Sequence, residues 1–145
     1  MKTEEKQLLL KDLCARLPYG VTINKKVCHS HRIEELIDIG YGQKSNEVYV
    51  NGYPIKQSKP YLRSMSSMTE EEFELLKRYS GLEYDQLDLA EFPNNHKCLD
   101  FYLEEVPSYT VILVFDWLNS HHFDYRGLIT MGLALEAPEG MYKTE

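Results

Sequence analysis

Apolar positions along the chain change their spacing several times, and each change predicts an element. Over residues 3–17, Leu9, Leu10, Leu13, Cys14 and Leu17 recur at helical intervals. Thr3 is able to cap the first turn, and Glu4 and Glu5 stand where the helix dipole favours acidic side chains. Pro18 and Gly20 end that helix. From Val21 the texture becomes β-branched and short: Val21, Ile23 and Val27, then Ile33, Leu36, Ile37 and Ile39, then Val48, Tyr49 and Val50. Gly40, Gly42, Ser45 and Asn46 supply one loop, and Asn51-Gly52 reads as a two-residue hairpin turn because both residues tolerate positive φ. The pattern predicts a small antiparallel β meander whose last segment runs over 53–62. Pro54 and Pro60 belong at an edge or a bulge of it, since proline cannot donate to a central ladder.

Thr69-Glu70-Glu71-Glu72 is a capping box, so a second helix begins there, with Phe73, Leu75, Leu76 and Tyr79 as its apolar residues and Gly81 closing it. Lys77 and Arg78 near its end suit the dipole. Residues 82–106 show a loose period of two around Pro93-Asn94-Asn95, which predicts two strands flanking a turn. Residues 108–122 have helical texture, and Asp124 is placed to cap a following short helix over 125–131 that ends at Gly132. Leu133, Ala134, Leu135, Met141 and Tyr142 then lay a tail across the core. No repeat, low-complexity tract or flexible linker interrupts the chain. The expectation is a single α+β domain over 1–145: an N-terminal helix, a β-rich portion over 20–63, and a helix-rich portion over 69–145 packed on it.

Composition sharpens this by exclusion. With 43% hydrophobic and 27% charged residues among 145, the chain suits an ordinary soluble domain. A domain of this length buries about two thirds of its unfolded surface, so stability requires no disulfide or metal. Three cysteines, Cys14, Cys28 and Cys98, without CxxC spacing, and an amino end without a signal-peptide pattern, predict a cytosolic protein with reduced thiols. The longest apolar run, 111–115, is far short of a membrane span. The net charge of −7 is unevenly spread: +4 over 1–68, −8 over 69–105 and −3 over 106–145. A balance of that sign disfavours duplex nucleic acid as a partner.

Three groupings carry candidate chemistry. Around Cys28-His29-Ser30-His31, an extended backbone would put His29 and His31 on one side. They would be two metal ligands, with any others drawn from Cys14, Cys98, His96, His121 or His122. A zinc site needs three or four protein ligands, so a polar turn between strands is the simpler reading. His121, His122 and Asp124 have the composition of a base oriented by a carboxylate, the catalytic set a small hydrolase or metal-assisted enzyme would use. Adjacent helical residues point about 100° apart, so both imidazoles cannot face one substrate from a regular helix. No nucleophile elbow, P-loop or paired-carboxylate spacing accompanies them. Lys56, Lys59, Tyr61 and Arg63, with Tyr125 and Arg126, are the candidates for ligand binding, because arginine forks onto phosphate oxygens and tyrosine stacks on a base.

The words LLLKDLCARLPYGV at 8–21, KPYLRSMSSMT at 59–69 and DWLNSHHFDYRGLITMGLALEAPEGMY at 116–142 resemble a group of small uncharacterised proteins encoded by gut bacteria and their bacteriophages. They cover roughly a third of the chain. The resemblance brings no catalytic residues. It implies a phage or mobile-element context, in which small acidic proteins act by binding. The expectation is therefore a non-enzymatic cytosolic binding protein, without a cofactor, that modulates host physiology or defence by engaging a host protein or sequestering a signalling nucleotide. The alternatives are the enzyme centred on His121, His122 and Asp124, and a structural or assembly component.

Overall fold

The computed structural model describes residues 1–44, 46–81 and 108–142 and shows an α+β protein. The chain divides into two compact units, one of residues 1–62 with 128–137 and the other of 63–127 with 138–145. The expected strands around Pro93-Asn94-Asn95 lie outside the described residues.

The first unit opens with helix α1, Thr3–Arg16. Its N-cap is Lys2 rather than Thr3, and the Glu5 carboxylate accepts from the Lys2 amide at 2.8 Å. The buried stripe runs through Leu9, Asp12, Leu13 and Arg16, whereas Cys14 and Leu17 are exposed. Two charged residues can occupy that stripe because they neutralise one another. Arg16 donates from Nε and Nη2 to the two Asp12 oxygens at 2.8 and 3.0 Å, one helical turn apart and sealed from water. A 3₁₀ turn, Leu17–Tyr19, and Gly20 at φ +67° lead into the strands.

The strands form two sheets rather than one meander. The first has the order β2-β1-β6-β7, built from β1 (Thr22–Val27), β2 (Ser30–Glu35), β6 (Ser58–Leu62) and β7 (Leu135–Glu136). The second is β3-β4-β5, from β3 (Ile39–Tyr41), β4 (Val48–Val50) and β5 (Tyr53–Pro54). What splits them is the segment expected as one strand over 53–62. Pro54 leads into a 3₁₀ turn, Ile55–Gln57, which packs against α1, β1 and β4, and only beyond it does β6 run back along β1. Pro60 faces Ile23 of β1, while β7 pairs only with Tyr61 and Leu62, so the proline sits where β6 has a single neighbour. Asn51 and Gly52 make the expected hairpin turn with φ of +48° and +81°. The Asn51 side chain also receives the amides of Ile37 and Asp38 at 2.9 and 3.0 Å and donates to the Glu35 carbonyl at 2.7 Å, tying the two sheets together. Leu9, Leu13, Val21, Ile23, Leu36, Val50, Ile55, Leu62, Leu128, Leu133 and Ala134 are the buried apolar residues of this unit.

The second unit contains α2 (Glu70–Ser80) and α3 (Ser108–Ser120) around Met65, Phe73, Leu76, Val114, Trp117, Leu118 and Phe123. The capping box at Thr69 and Glu72 is present, and Gly81 closes α2 at φ +73° as expected. Leu75 and Tyr79 face solvent, and Glu72, Lys77 and Ser80 are buried instead. Helix α3 ends in a Schellman motif in which His122, at φ +63°, holds the left-handed position usually given to glycine. The Phe123 amide returns to the Leu118 carbonyl at 3.0 Å and the His122 amide to that of Asn119 at 3.1 Å. The expected short helix over 125–131 does not form; residues 125–132 are turns. The Asp124 amide is bound to the Arg63 carbonyl at 2.8 Å instead of opening a helix, and Gly127 and Gly132, both at φ +74°, break helical continuity. The tail expected across the core becomes β7, parallel to β6. No helix among the described residues is long and apolar enough to cross a membrane.

Candidate ligand cleft

A cleft of about 640 Å³ opens in the first unit between α1, the β3–β4 hairpin and the 3₁₀ turn at Ile55–Gln57. Thr3, Lys6, Gln7 and Leu10 come from one face of α1, at the i, i+3, i+4, i+7 spacing that stacks side chains along a helix. The hairpin supplies Tyr41, Asn46, Glu47 and Val48, held at its mouth by the Gly42 amide bonded to the Glu47 carbonyl at 2.9 Å. Ile55 and Lys56 complete the wall. Leu10, Val48 and Ile55 provide apolar surface, and the remainder is polar.

Two ammonium groups against one carboxylate make this cleft locally positive in a chain of net charge −7. Lys6 and Lys56 take part in none of the ion pairs of the described residues. Tyr41 stands 72% exposed at the rim, offering a ring face and a hydroxyl. The volume lies within the roughly 300–1,000 Å³ range of small-molecule sites. Its donors are lysine ammonium, threonine hydroxyl and glutamine and asparagine amides. The lining contains no histidine and no cysteine. Such a set can hold an anion and stack a planar ring.

Of the binding residues expected from sequence, only Lys56 lies here. Lys59 is exposed on β6, and the Tyr61 hydroxyl accepts from Asn24 Nδ2 at 3.0 Å. Arg63 is committed to Glu72 through two bonds of 2.6 and 2.8 Å and lies 4.2 Å over the Phe123 ring. The Glu72 carboxyl is pushed up by burial, but the hydrogen bond and charge of Arg63 and the Thr69 amide and hydroxyl outweigh this and hold it below the ordinary carboxylate value. Tyr125 donates to Asn119 Oδ1 at 2.9 Å and carries Arg126 5.1 Å over its ring. Lys6 and Tyr41 escaped the sequence reading. The polar flank of α1 at 3, 6, 7 and 10 was the available signal, but nothing in it shows which hairpin lies opposite.

The described histidines are dispersed, and His96 and Cys98 lie outside the described residues. His29 is exposed in the turn between β1 and β2, and His31 pairs through Nδ1 with Asn24 Oδ1 at 2.8 Å. Among the described residues no three potential metal-ligating side chains converge. The His121 ring stacks on Trp117 with centroids 3.9 Å apart, its Nδ1 against the Trp117 carbonyl and the Ser120 hydroxyl, each at 2.9 Å. His122 turns into the left-handed region and stacks on Tyr142 at 3.8 Å. The two imidazoles thus lean on different aromatic partners, and Asp124 is buried beside them. No protein-family model, curated protein or solved structure matches the chain.

Proposed function

We propose that this chain is a non-enzymatic cytosolic binding protein whose cleft between α1 and the β3–β4 hairpin takes a small anionic ligand with a planar ring, of the nucleotide class. The observation that carries this is the pair of ammonium groups, Lys6 and Lys56, which line one cleft beside an exposed tyrosine and take part in no ion pair among the described residues. Two lysines supply point charges for phosphate oxygens, and Tyr41 supplies a stacking surface. In the phage or mobile-element setting that the sequence words suggest, such a protein would act by sequestering a signalling nucleotide and so modulate host physiology or defence.

The test is calorimetric titration of the full chain with a panel of mononucleotides and cyclic nucleotides, alongside the corresponding nucleosides. The reading expects saturable binding of a phosphorylated member, at least tenfold tighter than its nucleoside, weakened by rising salt. It further expects loss of most of that affinity in Lys6→Glu and Lys56→Glu. Absence of binding across the panel, or binding indifferent to both substitutions, removes the cleft as the site.

A further inference from the structure

Among the described residues the outer strand β2 has no strand partner beyond β1, and five of its six residues are exposed. Its ladder geometry is fixed by the Leu36 amide, which donates to the Val21 carbonyl at 2.9 Å. In an antiparallel pair, hydrogen-bonded and non-hydrogen-bonded positions alternate. With the register Thr22↔Glu35, Ile23↔Glu34, Asn24↔Ile33, Lys25↔Arg32 and Lys26↔His31, the backbone groups of His31, Ile33 and Glu35 must therefore point away from β1. The bond from Asn51 to the Glu35 carbonyl reaches it from that outward side. The open edge thus offers the amides and carbonyls of His31 and Ile33, the Glu35 amide, and a second lone pair on the Glu35 carbonyl.

Charged side chains on an edge strand ordinarily discourage pairing with another chain. Here they discourage all but one arrangement. Two copies of β2 related by a twofold axis can exchange backbone hydrogen bonds only if outward-facing residues meet outward-facing residues. Centring the axis on Arg32 sets Arg32 against Arg32, and centring it on Glu34 sets Glu34 against Glu34. Centring it on Ile33 sets Ile33 against Ile33, Arg32 against Glu34 and His31 against Glu35. That register is complementary in charge at its two Arg32–Glu34 pairs, where Glu34 also holds Lys25 of its own chain, sets each His31 imidazole against a Glu35 carboxylate, and covers Ile33, a residue 62% exposed. The segment His31-Arg32-Ile33-Glu34-Glu35 runs from an imidazole and a guanidinium through an apolar residue to two carboxylates, and antiparallel self-pairing is the geometry that uses such an order.

We infer that β2 is a self-association edge, and that a second copy of this chain pairs with it antiparallel about Ile33 to continue the sheet across a twofold axis. A contact of this length falls below the size of stable interfaces, so the dimer is weak. The inference is independent of the ligand proposed for the cleft.

Sedimentation velocity of the full chain from low to several hundred micromolar tests it. The expected result is a monomer–dimer equilibrium that His31→Glu shifts at least tenfold toward monomer, and that Glu35→Lys added to His31→Glu restores. Register is read separately in a chain with Cys14, Cys28 and Cys98 replaced by serine. Under mild oxidation Ile33→Cys should crosslink two copies, whereas His31→Cys alone should not. A strictly monomeric chain, a dimer indifferent to His31→Glu, or equal crosslinking at both positions overturns the assignment.

Discussion

At the corner where α3 ends, Arg63 forks onto Glu72, lies over Phe123 and trades backbone bonds with His122 and Asp124, while His121 stacks on Trp117. In the cleft of the first unit, Lys6 and Lys56 face a cavity and bind none of the acidic groups described. The corner is by far the richer in reactive side chains. Arg63, Glu72, His121 and Tyr125 are already used in holding the helix ends and turns of this corner, and a group spent on structure is costly to redirect to a ligand. The cleft has fewer such groups, and its two lysines join no ion pair among the described residues. Availability, rather than density of reactive residues, separates a binding site from a structural joint.

Substitutions should therefore sort the two regions cleanly. The largest effect is expected from Phe123→Ala, which removes a fully buried ring from the Schellman contact and the Arg63 stack and should cost about 3–5 kcal/mol by chemical denaturation. Asp12→Ala should cost a similar amount, about 3–5 kcal/mol, because it strands a buried guanidinium inside α1. Glu72→Gln should lose about 1.5–3 kcal/mol at neutral pH, the worth of hydrogen bonds to a charged group.

The same carboxylate gives that variant a pH signature. Its folded-state value lies below the ordinary 4.5, so its contribution is complete above that value and disappears as pH falls through the lower, folded one. A stability profile measured below pH 4.5 should therefore be steeper for the parent chain than for Glu72→Gln. At the small end, Lys6→Glu and Lys56→Glu should leave stability within about 0.5 kcal/mol while abolishing most ligand affinity. A double substitution that unfolded the chain would erase the distinction between the regions. His122 tests the joint most finely: His122→Gly keeps the left-handed turn, whereas His122→Val adds about 1–2 kcal/mol of backbone strain.

Local signals were legible at the two ends of α2 and at one hairpin turn, although Thr3 yielded its capping place to Lys2. Thr69, Glu72 and Gly81, and the Asn51-Gly52 turn, act through neighbours in the chain, and each does what its local signal says. Long-range choices were hidden. Nothing near Asp124 in sequence reveals that its amide will be taken by Arg63, so a good N-cap residue opens no helix. Helix α1 conceals a buried ion pair because Asp12 and Arg16 each look like solvated surface until both are placed on the stripe with Leu9 and Leu13. The cleft was legible only through Lys56, since it arises where α1 meets a hairpin distant in sequence. The corner holding His121, His122 and Asp124 is dense in reactive side chains because it is a joint.

The parallel pairing of β7 with β6 has a consequence for how the chain is made. As the protein is synthesised from its amino end, α1 and the first six strands emerge early. The outer edge of β6 at Tyr61 and Leu62 then waits for Leu135 and Glu136, with Leu128, Leu133 and Ala134 still missing from the core. Everything between them must leave the ribosome first. The first unit is thus begun before residues 63–127 are made and completed only after them, and for that interval its open β6 edge is a place where a nascent chain is exposed to mispairing.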